Sequence, residues 1–115
     1  MQTKTFNLGN FIFRESETGQ EALIIDSGLV EMTKSINNHG LEKQKTICVL
    51  KKGKMFGEMA LIDQGLRMAT ARAKSEVVTL KVISQIQFND LLKDINPFVK
   101  KMLIMEIDRM RSSIS

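Results

Sequence analysis

A chain of 115 residues has the length of one domain, and its 43% hydrophobic and 26% charged residues allow a modest core; no run approaches the roughly 18 apolar residues of a membrane-spanning helix. A net charge of +4, from 17 basic and 13 acidic residues, favours anionic partners weakly and is too small to argue for DNA. The only aromatics are six Phe, which excludes a base-stacking platform, and the single Cys48 excludes an internal disulfide.

The N-terminus, MQTKTFNLGN, lacks the apolar core of a secretory signal, and the lone cysteine fits a reducing compartment, so a cytoplasmic location is expected. From there to about residue 84, Gly, Asn and Asp recur at short intervals in NLGN, SETGQ, DSGL, NNHG, KKGK and DQGL. Between these turns lie apolar segments of strand length: FIF, ALII, LVEMT, TICVL and VVTLKVI. Short strands with regular turns predict a sandwich or barrel of strands. Val30 and Met32 alternate with Glu31, Thr33 and Ser35, and Val78, Leu80 and Val82 alternate with Thr79 and Lys81, the period of half-buried strands. NNHG supplies the positive-φ residues of a hairpin turn, with His39 as a turn residue, and KKGK, residues 51–54, reads as a solvated turn. Cys48, between Ile47 and Val49, reads as buried core.

From about residue 85 the period changes. QFNDLLKDI predicts a short helix ending before the Asn96–Pro97 step, where the residue before proline leaves the α region. Pro97 then opens a longer helix with Asn96 as its N-cap. On it Val99, Leu103, Ile107, Met110 and Ile114 form one apolar stripe, widened by Phe98, Met102 and Met105, with Lys100, Lys101, Asp108 and Arg111 on the opposite side. The fold expected is mainly β, with C-terminal helices over about residues 85–115 packed on strands from about 1–84, the whole of 1–115 forming one domain.

The chemistry concentrates in FGEMALIDQGLRMAT, residues 56–70. Gly57 lets a ligand approach the backbone, and EMALI forms a short helical turn whose first N–H groups can meet an anion past the small Ala60. Arg67, returned by the DQG turn, carries the planar fork suited to phosphate, whereas a Glu58 carboxylate accepts from a hydroxyl. A ribose cyclic monophosphate has both groups. From residue types alone a surface ion pair between Glu58 and Arg67 is an equal reading.

FGEMALIDQGLRMATARA resembles the phosphate-binding cassette of the cyclic nucleotide-binding domain family, F-G-E-x-A-L followed by R-x-A-T after a short loop. IFRESETGQEALIIDSGLVEM resembles the same family's upstream signature. The resemblance covers nearly the whole chain. It implies an eight-stranded β-roll followed by C-terminal helices that move when ligand binds. Carried over by position, Arg67 would pair with the cyclic phosphate, the backbone of Ala60 and Met68 would complete its cradle, and Glu58 with Gly57 would hold the ribose 2′-hydroxyl. Met59 and Ala69 are the neighbouring ligand-binding candidates, and Arg109 and Met110 are candidates for a lid over the base. Three departures stand out: Leu66 where a proline is common, Met68 where Ala, Ser or Thr is common, and Ser16 in place of a glycine. Met68 lacks the hydroxyl that resembles cGMP-preferring members, which favours cAMP and leaves cGMP as the second candidate.

No activated nucleophile, metal cluster or acid–base pair is legible, so neither catalysis nor a cofactor or metal is expected. The long helix runs into RMRSSIS with no helix-turn-helix pattern after it, so direct nucleic-acid binding is not expected. The expected partners are a cyclic nucleotide, an effector domain or protein, and a second copy through the C-terminal helix. A domain of this fold that no longer binds nucleotide and serves as a protein-interaction module is the alternative.

Overall fold

The structure is a computed structural model that describes residues 1–63 and 65–114, together with the side chains of these residues up to Ser112. Gln64 of the predicted DQG turn and the side chain of Ile114 in the predicted stripe therefore lie outside the described residues.

Among the described residues, eight strands form two antiparallel four-stranded sheets. One orders β1 (Gln2–Asn7), β8 (Val77–Ser84), β3 (Glu21–Ser27) and β6 (Met55–Phe56), and the other orders β2 (Phe11–Phe13), β7 (Thr70–Ala73), β4 (Val30–Asn38) and β5 (Leu41–Leu50). Period-2 patterning explains the layering. Val78, Leu80 and Val82 turn inward from β8 and are buried, while Val77 between the turn and the core is half exposed. They meet Leu23 and Ile25 of β3, Val30 of β4, Phe56 of β6, and Ala71 and Ala73 of β7 in one core between the sheets. The architecture is the expected β-roll with C-terminal helices.

The β4–β5 hairpin turns through His39 and Gly40, with φ of 53° and 80°. Two successive positive-φ residues match the right-handed twist of the flanking strands, which is why a two-residue loop suffices here. Glu31, facing away from the core, is nonetheless buried: Thr46 donates to its Oε2 at 2.9 Å, and Arg72 and Lys74 approach at 3.5 and 3.4 Å. The Thr46 hydrogen bond and these two cations hold its carboxyl below its ordinary range against the opposing effect of burial. Cys48 is exposed, contrary to the reading of its apolar neighbours. It lies on β5, the edge strand of its sheet, whose residues are exposed along nearly the whole length because a partner covers only one side.

The helices begin where the strands end. α1 (Met59–Asp63) interrupts the strands, and α2 (Gln85–Leu92) starts earlier than the apolar pattern suggested, because Ser84 and Gln87 form a reciprocal capping box. Asn96 caps α3 (Pro97–Ile114) as expected, accepting from the Phe98 N–H at 2.8 Å. Only part of α3's stripe is covered: Ile107 is 4% exposed, whereas Val99, Leu103 and Met110 are 42%, 38% and 43% exposed. Among the described residues, no helix is long and apolar enough to cross a membrane.

Candidate functional site

The segment between β6 and β7 is built around one buried arginine. Arg67 is 6% exposed; its Nη1 donates to the Gly57 carbonyl and its Nη2 to the Glu21 carbonyl, both at 2.8 Å. Its guanidinium carbon lies 4.1 Å from the centre of the Phe13 ring, which in turn packs against Phe56 at 5.8 Å. Two glycines make room for it. A Cβ at Gly57, where φ is 78°, would come within 2.6 Å of Nη1, and one at Gly19 within 2.5 Å of Cζ and Nε. At Gly57 the left-handed backbone independently favours glycine.

The backbone around Arg67 is fixed as well. Its N–H donates to the Glu17 carbonyl and its carbonyl accepts from the Ser16 N–H, both at 2.8 Å, so the β2–β3 connection pairs with the cassette like a short strand. Ser16 reaches this position at φ 72°, in the left-handed region where glycine carries no penalty. Lys34 donates to the Met68 carbonyl at 3.2 Å and contacts Glu15 at 3.3 Å.

Electrostatically Arg67 is unusual. The arginine ion pairs among the described residues are Arg72–Glu31, Arg109–Glu106 and Arg111–Asp63, and Arg67 belongs to none of them. The surface ion pair between Glu58 and Arg67 is thus not formed. Burial lowers the guanidinium's pKa from its ordinary value, opposed at longer range by Glu21, Glu17 and Glu58. Its Nε is buried without a hydrogen-bond partner. A cation held by neutral carbonyls, with a donor to spare, is electrostatically suited to an incoming anion.

A cavity of about 70 Å³ opens beside it, lined by Phe13, Met32, Gly57, Met59, Ala60, Leu66, Arg67, Met68, Ala69 and Arg111. The structure therefore gathers Gly57, Met59, Ala60, Arg67, Met68 and Ala69 around one space, with Glu58 half buried next to Gly57. Arg109 and Met110 do not line it; Arg109 is exposed and pairs with Glu106 one turn away, and Met110 is partly exposed. Arg111 of α3 reaches the cassette and lines the cavity. Its Nε and Nη2 donate to Asp63 at 2.6 and 3.0 Å, and its Nη1 donates to the Leu66 carbonyl at 2.6 Å.

Arg111 was read from sequence as solvent-facing, and the structure corrects this. Its spacing of four from the buried Ile107 puts the two on one face, a signal the sequence did contain. Burial disfavours the Asp63 charge, but the Arg111 fork and the Gly65 N–H hold the carboxyl below its ordinary value. Phe13, Gly19, Met32, Lys34, Asp63 and Arg111 are among the residues at this site that sequence reasoning missed.

Two antiparallel sheets enclosing a core, with a short helix and a glycine-flanked buried arginine between strands, form a β-roll that carries a buried cation beside a small cavity. The profile of the "Cyclic nucleotide-binding domain" matches residues 3–94, and the chain belongs to that family. Human cGMP-dependent protein kinase 2 is 34% identical over 89 residues, which is 77% of this chain and 11% of the kinase. The cAMP-dependent protein kinase regulatory subunit of Schizosaccharomyces pombe is 33% identical over 92 residues, 80% of this chain and 20% of that protein. Among solved structures, the cAMP-bound form of the EAL enzyme Bd1971 superposes with a TM-score of 0.87 at 28% identity, covering 97% of this chain and 29% of that one. The chain thus spans a small part of the length of these proteins.

Proposed function

We propose that this chain senses a cyclic nucleotide, cAMP in preference to cGMP, and reports binding through movement of α3. The observation that carries the reading is the buried Arg67, which is bonded to two carbonyls and, among the described residues, paired with no carboxylate. The phosphate meets Arg67 and the backbone of Ala60 and Met68; the ribose 2′-hydroxyl meets Glu58 and the Gly57 backbone. Met59 and Ala69 border the ligand, and Arg109 and Met110 come to it only if α3 closes further. An anion is disfavoured in the other cavity that Arg67 lines, because Glu17 and Glu21 line it too.

A cavity of about 70 Å³ is far below the roughly 300 Å³ of a small-molecule site, so ligand admission requires rearrangement of the cassette or α3. That requirement supports a coupled movement, and a ligand can drive it only by its differential affinity for the two arrangements. No catalytic step is proposed for this domain. Residues 1–115 form one domain, roll to about residue 84 and helices beyond, in a cytoplasmic protein. An effector domain or protein receives the signal.

One feature favours the alternative of an interaction module. Phe98, Met102 and Met105 on α3 are all at least half exposed, a face suited to a second copy of the chain. Titration of nucleotide-free protein with cAMP and with cGMP separates the readings. Replacing Arg67 with alanine is expected to cost about 2–5 kcal/mol of binding, roughly 30-fold or more in affinity. Unchanged affinity in Arg67→Ala would refute the assignment of the phosphate to Arg67.

A further inference from the structure

Arg111 joins α3 to the segment that carries Arg67. Its fork closes on both oxygens of Asp63 at the end of α1, and its remaining nitrogen holds the carbonyl of Leu66, the residue immediately before Arg67. The site is built for this guanidinium. The Asp63 side chain is only 9% exposed and that of Arg111 23% exposed. A Cβ at Gly65 would lie 2.8 Å from Arg111 Cζ and Nη2, so glycine at that position leaves the fork room to lie against the backbone. One turn earlier on the same helix face, the buried Ile107 supplies an apolar anchor.

We infer that Arg111 is a positioning residue: it fixes Asp63 and the Leu66 carbonyl so that Arg67 is correctly presented to the ligand, and it transmits ligand binding to α3. The inference rests on the nucleotide-binding reading above. The mechanism is geometric. Leu66 and Arg67 share a peptide unit, so turning the carbonyl of Leu66 turns the N–H of Arg67. That N–H is fixed in turn by Glu17. Movement of Arg67 towards a phosphate therefore pulls on a carbonyl that α3 holds, and displacement of α3 releases it. Lysine cannot reproduce the contact, because a single ammonium cannot span Asp63 and the Leu66 carbonyl with the geometry of a planar fork.

The test uses the 115-residue chain and three variants: Arg111→Met, Arg111→Lys and Gly65→Ala. Gly65→Ala displaces the fork without removing either charge. It also serves if Arg111→Met loosens α3 too far to be informative. Two quantities are read, cAMP affinity by calorimetry and the hydrogen-exchange protection of α3 amides with and without cAMP. Arg111→Met and Gly65→Ala are each expected to lose about tenfold in affinity. In both, α3 protection should cease to respond to cAMP, and Arg111→Lys should fall between these variants and the parent. A purely structural role would lower α3 protection equally with and without ligand and leave affinity intact, which overturns the inference. Parent-like affinity together with a parent-like α3 response in Arg111→Met and Gly65→Ala overturns it too, while leaving the nucleotide-binding reading in place. A parent chain that binds neither cAMP nor cGMP overturns both.

Discussion

Gly19→Ala is the sharpest probe of how Arg67 is held. Gly19 is not in the left-handed region, so an alanine there adds no backbone strain and acts by volume alone. Its Cβ would sit 2.5 Å from Cζ and Nε of Arg67 and 3.0 Å from Cβ of Ala60. Ordinary carbon contacts begin near 3.5 Å, so the guanidinium must retreat by about 1 Å. Its bonds to the carbonyls of Gly57 and Glu21, both 2.8 Å, would then exceed hydrogen-bond length. Phe13 at 4.1 Å from Cζ leaves little room on the far side. Overpacking of this kind costs typically 1–3 kcal/mol, and hydrogen bonds to a charged group are worth about 1.5–3 kcal/mol each, so with both bonds lost we expect stability to fall by at least about 3 kcal/mol. Displaced from its seat, Arg67 should also bind nucleotide at least about tenfold more weakly, or 1.4 kcal/mol. Urea unfolding followed by circular dichroism reads the first quantity, and calorimetric titration reads the second. A Gly19→Ala protein with parental midpoint and affinity would mean that Arg67 is not seated between Gly19, Gly57 and Phe13.

Other consequences follow from the same structure. Ser16 occupies a left-handed position at φ 72°, which costs a side chain about 1–2 kcal/mol, partly offset by glycine's greater freedom when unfolded. Ser16→Gly should therefore raise the melting temperature by thermal scan, and a lowered one would show that the serine side chain has a stabilising role. Glu31 and Asp63 have carboxyl pKa values lowered in the fold. Their contribution is complete above the unfolded values of about 4 and is lost as pH falls through the lower folded values. Stability measured by urea midpoint should decline below about pH 4, and less steeply in Glu31→Gln, which has already lost one of these contributions. An equal slope in the variant would show that Glu31 does not contribute to the acid limb.

Local signals were the legible ones. Strand alternation in VVTLKVI needs only neighbouring residues, and Val78, Leu80 and Val82 are buried as that pattern requires. The two-residue hairpin at His39 and Gly40 and the Asn96 cap are likewise encoded within a few positions. Gly57, Ala60 and Arg67 are close in sequence and line one cavity, but residue types alone left a surface ion pair as an equal reading, and the resemblance of their motif to a family is what singled them out. What escaped is what depends on distant chain segments. Gly19 matters because Arg67 lies against it, and Lys34 because it reaches the Met68 carbonyl. Arg111 looked solvated because its Asp63 partner lies 48 residues away. A charged group on a buried helix face is acceptable only when such a partner exists, and helical periodicity alone cannot supply one. Cys48 failed for a related reason: Ile47 and Val49 mark a strand but not its place at the edge of the sheet.

The central claim is that a cyclic nucleotide binds at Arg67. Calorimetric titration of the nucleotide-free chain with cAMP and cGMP, run beside Arg67→Ala, tests it most directly. The account predicts saturable binding to the parent, tighter for cAMP, and a loss of roughly 30-fold or more in the variant. No heat and no thermal stabilisation with either nucleotide, or equal affinity in parent and variant, would contradict it.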